Sequence, residues 1–170
     1  MTRPTIVPLQ RDDVAALTEV MTRAFDDDAQ RHLGVDKGGP PGYDTGEFLL
    51  RYAFDPRARA FTAILDARPV GAIIVFPGAD GDHVLGCMFT DPQVQRRGVG
   101  TALFAYVEEA FPARSWTLET PACATSNLRF YAQRCGFRQV RVRDDDDEGT
   151  MAVLEKVRSA PSDDAASLVR

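Results

Sequence analysis

From Asp12 onward, the apolar positions Val14, Leu17, Val20, Met21, Ala24 and Phe25 fall three or four apart, on one face of a helix. Asp12 is a suitable N-cap, and Asp26-Asp27-Asp28 reads as the end. Before this helix, Thr5–Leu9 is β-rich. After it, Gly34 to Gly46 contains Gly38-Gly39-Pro40-Pro41-Gly42 and reads as loop, and Glu47–Phe54 as a short helix closed by Asp55-Pro56. Then the pattern changes. Ala60–Leu65, Val70–Phe76 and His83–Thr90 are strand-like runs separated by turn sequences, which predicts an antiparallel meander. Gly98–Phe111 returns to helical spacing, with Leu103, Phe104, Val107 and Phe111 on one side. Trp116–Thr120 reads as a strand, Ser126–Cys135 as a helix, and Phe137–Arg143 and Thr150–Val157 as strands. This order predicts an α/β (α+β) fold with a mixed, mostly antiparallel sheet of six to seven strands. Residues 1–158 read as a single domain, and residues 159–170, small and polar, as a flexible tail.

A chain of 170 residues is long enough to bury a core without disulfides or metal. Cys87, Cys123 and Cys135 form no C-x-x-C pair, so they read as small hydrophobes. With only His32 and His83 and no ligand spacing, no transition-metal site is expected. Asp144, Asp146, Glu148 and Gly149 approach a calcium-loop pattern, but strand-like flanks read as an acidic hairpin instead. The formal net charge of −5 argues against nucleic acid and mildly favours a cationic partner. No apolar run is long enough for a membrane span. Met1 to Thr5 lack the apolar stretch of a signal peptide, so a cytoplasmic protein is expected.

The most informative segment is Pro92-Gln93-Val94-Gln95-Arg96-Arg97-Gly98-Val99-Gly100-Thr101, between a strand and a helix. A helix start offers unpaired N–H groups and the positive end of a dipole, and glycines let an anion approach that backbone. Arg96 and Arg97 add charge where a diphosphate would lie. A dinucleotide fingerprint fails because Leu103 stands where its third glycine belongs. A Walker loop fails because Cys87-Met88 follows Gly86 in place of Lys-Ser/Thr.

The Gln/Arg-x-x-Gly-x-Gly pattern at Gln95 to Gly100 resembles the acyl-CoA loop of the GNAT superfamily of N-acetyltransferases. Asn127-Leu128-Arg129-Phe130-Tyr131, followed by Cys135-Gly136-Phe137, is similar to a second motif of that family, with one residue more than its usual spacing before Gly136. The resemblance implies helices on both faces of the sheet and acetyl-CoA as co-substrate. It implies a primary amine of a small molecule or peptide as acceptor, and leaves a homodimer open. It assigns the cofactor to Gln95, Arg96, Arg97, Gly98, Val99, Gly100 and Thr101, with Asn127 on the pantetheine arm. It places pantetheine in a gap between His83–Thr90 and Trp116–Thr120, with N–H groups near Met88 or Phe89 polarising the thioester. Tyr131 corresponds to the general acid. For the base, Glu119 is the first choice and His83 the second. Asp28, His32, Tyr43 and Glu47 are candidates to line the acceptor pocket. An idle acyl-CoA sensor of the same fold is the alternative, and a tRNA-directed activity conflicts with the acidic balance.

Overall fold

The computed structural model describes residues 2–159; the tail expected beyond Ser159 lies outside the described residues. Among these, seven strands form one sheet: β1 (Thr5–Pro8), β2 (Arg59–Leu65), β3 (Arg68–Phe76), β4 (Asp82–Thr90), β5 (Ser115–Pro121), β6 (Arg138–Asp145) and β7 (Gly149–Val157). Their spatial order is β1-β2-β3-β4-β5-β7-β6, antiparallel throughout except for β4 beside β5. The predicted meander is therefore β2-β3-β4, joined first by a two-residue turn at Asp66 and Ala67, both with positive φ.

Helices cover both faces. On one, α3 (Val99–Ala110) buries Val99, Leu103, Phe104 and Val107 against Ile73, Leu85, Trp116, Leu118 and Leu154. On the other, α1 (Val14–Leu33) and α2 (Glu47–Tyr52) bury Leu17, Val20, Met21 and Leu49 with Ala72, Ile74 and Phe89. Burying such a side chain contributes about 1.5–3 kcal/mol, so these two apolar layers hold the sheet between the helices.

Helix α1 departs from its expected bounds at both ends. Asp12 is not its cap. Residues Arg11–Asp13 make a 3-10 turn, and the backbone N–H of Gln10 donates to the Asp13 carboxylate at 2.8 Å. Nor does α1 stop at the aspartates, because each finds a partner. Asp26 accepts from the Tyr43 hydroxyl (2.6 Å), Asp27 from Arg31 (2.6 Å) and Asp28 from the Asn127 side-chain amide (2.9 Å). The helix runs on to Leu33 and ends at Gly34 in a left-handed conformation.

The extra residue before Gly136 also has a structural home. Helix α4 (Thr125–Phe130) widens into one π turn over Tyr131–Cys135. Gly136 (φ +79°) closes it, and the Tyr131 carbonyl accepts from the backbone N–H groups of Gly136 and Phe137. An insertion that would break an α-helix is thereby absorbed within one turn.

Candidate active site

Strands β4 and β5 pair only over Asp82–Val84 and Ser115–Thr117. Beyond that point β4 stays with β3 as far as Thr90, and β5 stays with β7 as far as Pro121. A slot therefore opens between them, and β4 loses its neighbour along one edge. Backbone N–H groups there have no ladder partner on that side, which the sheet tolerates only where something else satisfies them. A β-bulge at Gly86 sets the side chains along the opening: Cys87 and Phe89 turn to the α1 face, and Met88 to the α3 face.

At the far end of β4, Asp91 organises the next loop. Its carboxylate accepts from the Gln93 N–H (3.0 Å) and from Arg23 on α1 (2.6 Å). Burial disfavours this charge, but the guanidinium and the N–H outweigh it and hold the carboxyl below its usual range. A 3-10 turn, Pro92–Val94, follows, and then Gln95 to Gly98. Arg96 (φ +66°) and Gly98 (φ +76°) are both left-handed. For Arg96 that conformation costs about 1 kcal/mol, the kind of strain that collects at ligand-binding loops. Helix α3 starts at Val99, so the N–H groups of Val99, Gly100 and Thr101 have no partner within the helix. A Cβ on Gly100 would lie 3.0 Å from the Phe130 ring, which ties this helix start to α4.

The side chains of the loop are less engaged than its backbone. Gln95, Arg96 and Arg97 are exposed. Arg97 reaches Asp66 at 3.6 Å, and the Gln95 side-chain oxygen accepts from Arg31 at 3.5 Å. An anion bound here would meet backbone donors first and flexible guanidinium groups second.

Tyr131 is 8% exposed, its ring packed against Phe130 and Phe137, and its hydroxyl has no hydrogen-bond partner among the described residues. Burial, then the neighbouring Cys87, Cys135 and Asp28, push its phenol far above the ordinary tyrosine range. This tyrosine is a neutral donor with nothing to donate to. Burial likewise pushes the Cys87 thiol up to about 12, so it stays protonated.

The other sequence candidates fall in different places. His83 is 6% exposed and lies at the closed end of the β4–β5 pair, opposite Trp116. Its Nδ1 accepts from the Gly78 N–H at 3.0 Å, its Nε2 meets the Pro112 carbonyl at 3.2 Å, and its ring packs on Trp116. Both nitrogens are committed to holding loops, so His83 lies outside the site. Glu119 lies on the open stretch of β5, on the face away from Trp116 and Leu118. Arg143 holds it through Oε2, with Nε at 2.8 Å, and among the described residues Oε1 has no partner. Asn127 is bound to Asp28 and not free. His32 contacts the Ser126 hydroxyl at 2.8 Å. Tyr43 locks the Gly38–Tyr43 loop to Asp26, and Glu47 is an exposed first residue of α2.

Two elements of this site were missing from the sequence reading: the Arg23–Asp91 pair and α1 as a bridge. The last turn of α1 reaches both sides of the slot, Gln95 through Arg31 and Ser126 through His32. Only Asp91 carried a local signal, as an Asp-Pro turn start.

The fold is that of the GNAT type, and the sequence agrees: the Acetyltransferase (GNAT) family matches residues 21–137, and the chain belongs to it. Solved structures share the fold. The paia N-acetyltransferase from Thermoplasma acidophilum, in complex with coenzyme A, has TM-score 0.70 and 17% identity over 92% of this chain and 100% of that one. An acetyltransferase from Thermus thermophilus has TM-score 0.67 and 23% identity over 92% and 98%. The smu.2055 protein from Streptococcus mutans UA159 has TM-score 0.71 and 11% identity over 90% and 98%. The Bacillus subtilis (strain 168) protein YrkN, whose own role is uncharacterized, is 26% identical over 87 residues, half of this chain. The match spans about half (47%) of that relative's length. Among the described residues, no helix is long and apolar enough to cross a membrane, and no group of three His, Cys, Asp or Glu is placed to hold a metal.

Proposed function

We propose that the chain is an acetyl-CoA-dependent N-acetyltransferase acting by direct transfer to a primary amine. The observation that carries this is the juxtaposition of a slot lined by unpartnered β4 backbone with a buried, unpartnered Tyr131 hydroxyl. The residues present fit the co-substrate. The left-handed turn at Arg96 and Gly98 and the free N–H groups of Val99, Gly100 and Thr101 suit a diphosphate, and Arg96 and Arg97 suit its charge. The slot suits a thin, extended arm that pairs with β4 as a missing strand would.

Acetyl-CoA supplies an activated thioester carbonyl. The chain's own part is to bind it, orient it and move protons. Backbone N–H groups near Met88 or Phe89 stabilise the charge that develops on the carbonyl oxygen. Tyr131 gives its proton to the departing thiolate, a task suited to a phenol that stays neutral. Glu119, whose Oε1 has no partner among the described residues, takes the amine proton through water.

The test is calorimetry with CoA and acetyl-CoA, followed by a thiol-release screen of amines. Binding plus amine-dependent thiol release is expected. Binding without release for any amine would mean a sensor of acyl-CoA, and no binding would overturn the assignment.

A further inference from the structure

Three consecutive aspartates end the sequence-predicted part of α1, and their partners differ in charge. Asp26 is shared between the Tyr43 hydroxyl (2.6 Å) and the Gly38 N–H (3.3 Å), away from the slot. Asp27 is neutralised by Arg31, one turn along the helix. Asp28 has only the neutral Asn127 amide, on Oδ2 at 2.9 Å, and among the described residues no cation pairs with it. It is half-buried, so its charge is screened less than that of a surface carboxylate. Helical spacing relates this charge to the reaction centre: Asn127, the partner of Asp28, lies four residues before Tyr131, one turn along the same helical segment.

The other charges near Asp28 do not cancel it. On α1, Arg31 is committed to Asp27, and His32, one turn on, faces Ser126 and makes no ion pair with Asp28. On α4, Ser126 and Asn127 are neutral. On β4, the Cys87 thiol stays protonated. A half-buried carboxylate whose Oδ1 is unclaimed among the described residues, one helical turn from an unpartnered buried phenol, is an incomplete site, and a cation with N–H donors completes it.

The geometry points to Asp28 as the anchor for the acceptor's ammonium group, with Asn127 holding the carboxylate in place, so the acceptors are alkylamines that are protonated at neutral pH. This rests on the acetyltransferase reading above and narrows its substrate class. It also gives the Asp28–Asn127 bond a purpose: Asn127 orients the anchor without neutralising it, as a lysine or arginine there would.

Two CoA thioethers separate this claim from the function it rests on. An S-(aminopropyl)-CoA carries an ammonium at the acyl end, and S-butyl-CoA is a neutral thioether of similar length. Calorimetry on the full chain should show the wild type preferring the ammonium thioether by about tenfold or more, the size of a charge-assisted hydrogen bond. Asp28→Asn, nearly isosteric, should bind the two equally while keeping its S-butyl-CoA affinity. Asp28→Glu should recover part of the preference, which a purely structural role would not predict. Equal binding of both thioethers by the wild type, or a preference that survives in Asp28→Asn, overturns the anchor and leaves the acetyltransferase reading standing. Failure of the wild type to bind either thioether overturns both.

Discussion

Replacing Tyr131 by phenylalanine removes one oxygen from a ring whose packing against Phe130 (5.3 Å between centroids) and Phe137 (5.8 Å) the substitution leaves unchanged. That oxygen has no partner among the described residues, and burying an unpaired hydroxyl costs about 1–3 kcal/mol. It is not sealed from solvent, since the one fully enclosed and unpaired side-chain donor among the described residues is Trp116 Nε1. The part recovered by Tyr131→Phe is therefore about 0–1 kcal/mol, a rise in Tm of up to about 4 °C for a chain this size. Turnover should move the other way. If the hydroxyl protonates the leaving thiolate, kcat should fall about a hundredfold, with acetyl-CoA affinity changed by less than about twofold. Because the phenol is pushed far above its ordinary value, it stays protonated in the fold across any practical assay. Tyr131 should then contribute no alkaline fall in kcat below about pH 10. Thermal unfolding, calorimetry with CoA and thiol-release kinetics on purified parent and variant give all three readouts. A variant that is less stable by more than about 1 kcal/mol would show that the hydroxyl has a protein partner. A variant with parental kcat would make Tyr131 a packing residue.

Gly98→Val should lower acetyl-CoA affinity by at least about tenfold and stability by only about 1–2 kcal/mol, because φ is +76° there but no atom lies within 4 Å of the added Cβ. Arg97→Ala, at an exposed side chain, should weaken binding only a few-fold; an equal or larger loss than in Gly98→Val would shift the emphasis from backbone to side chain. Tyr43 is pushed up to about 12, first by its hydrogen bond to Asp26 and then by burial, against about 10 when unfolded. The folded chain then holds a proton that the unfolded chain has lost, so this stabilisation is complete below about pH 10 and disappears as pH rises towards about 12. In urea titrations the unfolding free energy of Tyr43→Phe should be lower than the parent's by about 1–2 kcal/mol at pH 7 and should fall less steeply above pH 10; parallel curves would refute the assignment.

Local chemistry alone made much of this protein legible. The period change from helix to strand at Ala60, the turn sequences between the meander strands, and the glycine-rich start of α3 each follow from residues a few positions apart, and such interactions are present in any conformation that keeps the segment together. Gly98 and Gly100 stood out as the start of a helix after a strand, and the family resemblance gave them a role. Gly98 takes a left-handed φ with open space around it, and Gly100 faces the Phe130 ring at 3.0 Å from an added Cβ. Tertiary structure decided what depends on residues far apart in sequence. Asp26-Asp27-Asp28 looks like a helix end because three adjacent carboxylates repel and solvate well, and only the partners Tyr43, Arg31 and Asn127 let the helix continue to Leu33. The sequence ranked Glu119 ahead of His83 as the base, but the surroundings of each depend on how β4 and β5 are placed together. Pairing at Asp82–Val84 then puts His83 at the closed end, and divergence beyond Thr117 puts Glu119 at the open one. The divergence itself has no sequence signature. It arises because β4 remains bonded to β3 and β5 to β7, and those two ladders diverge from their shared start.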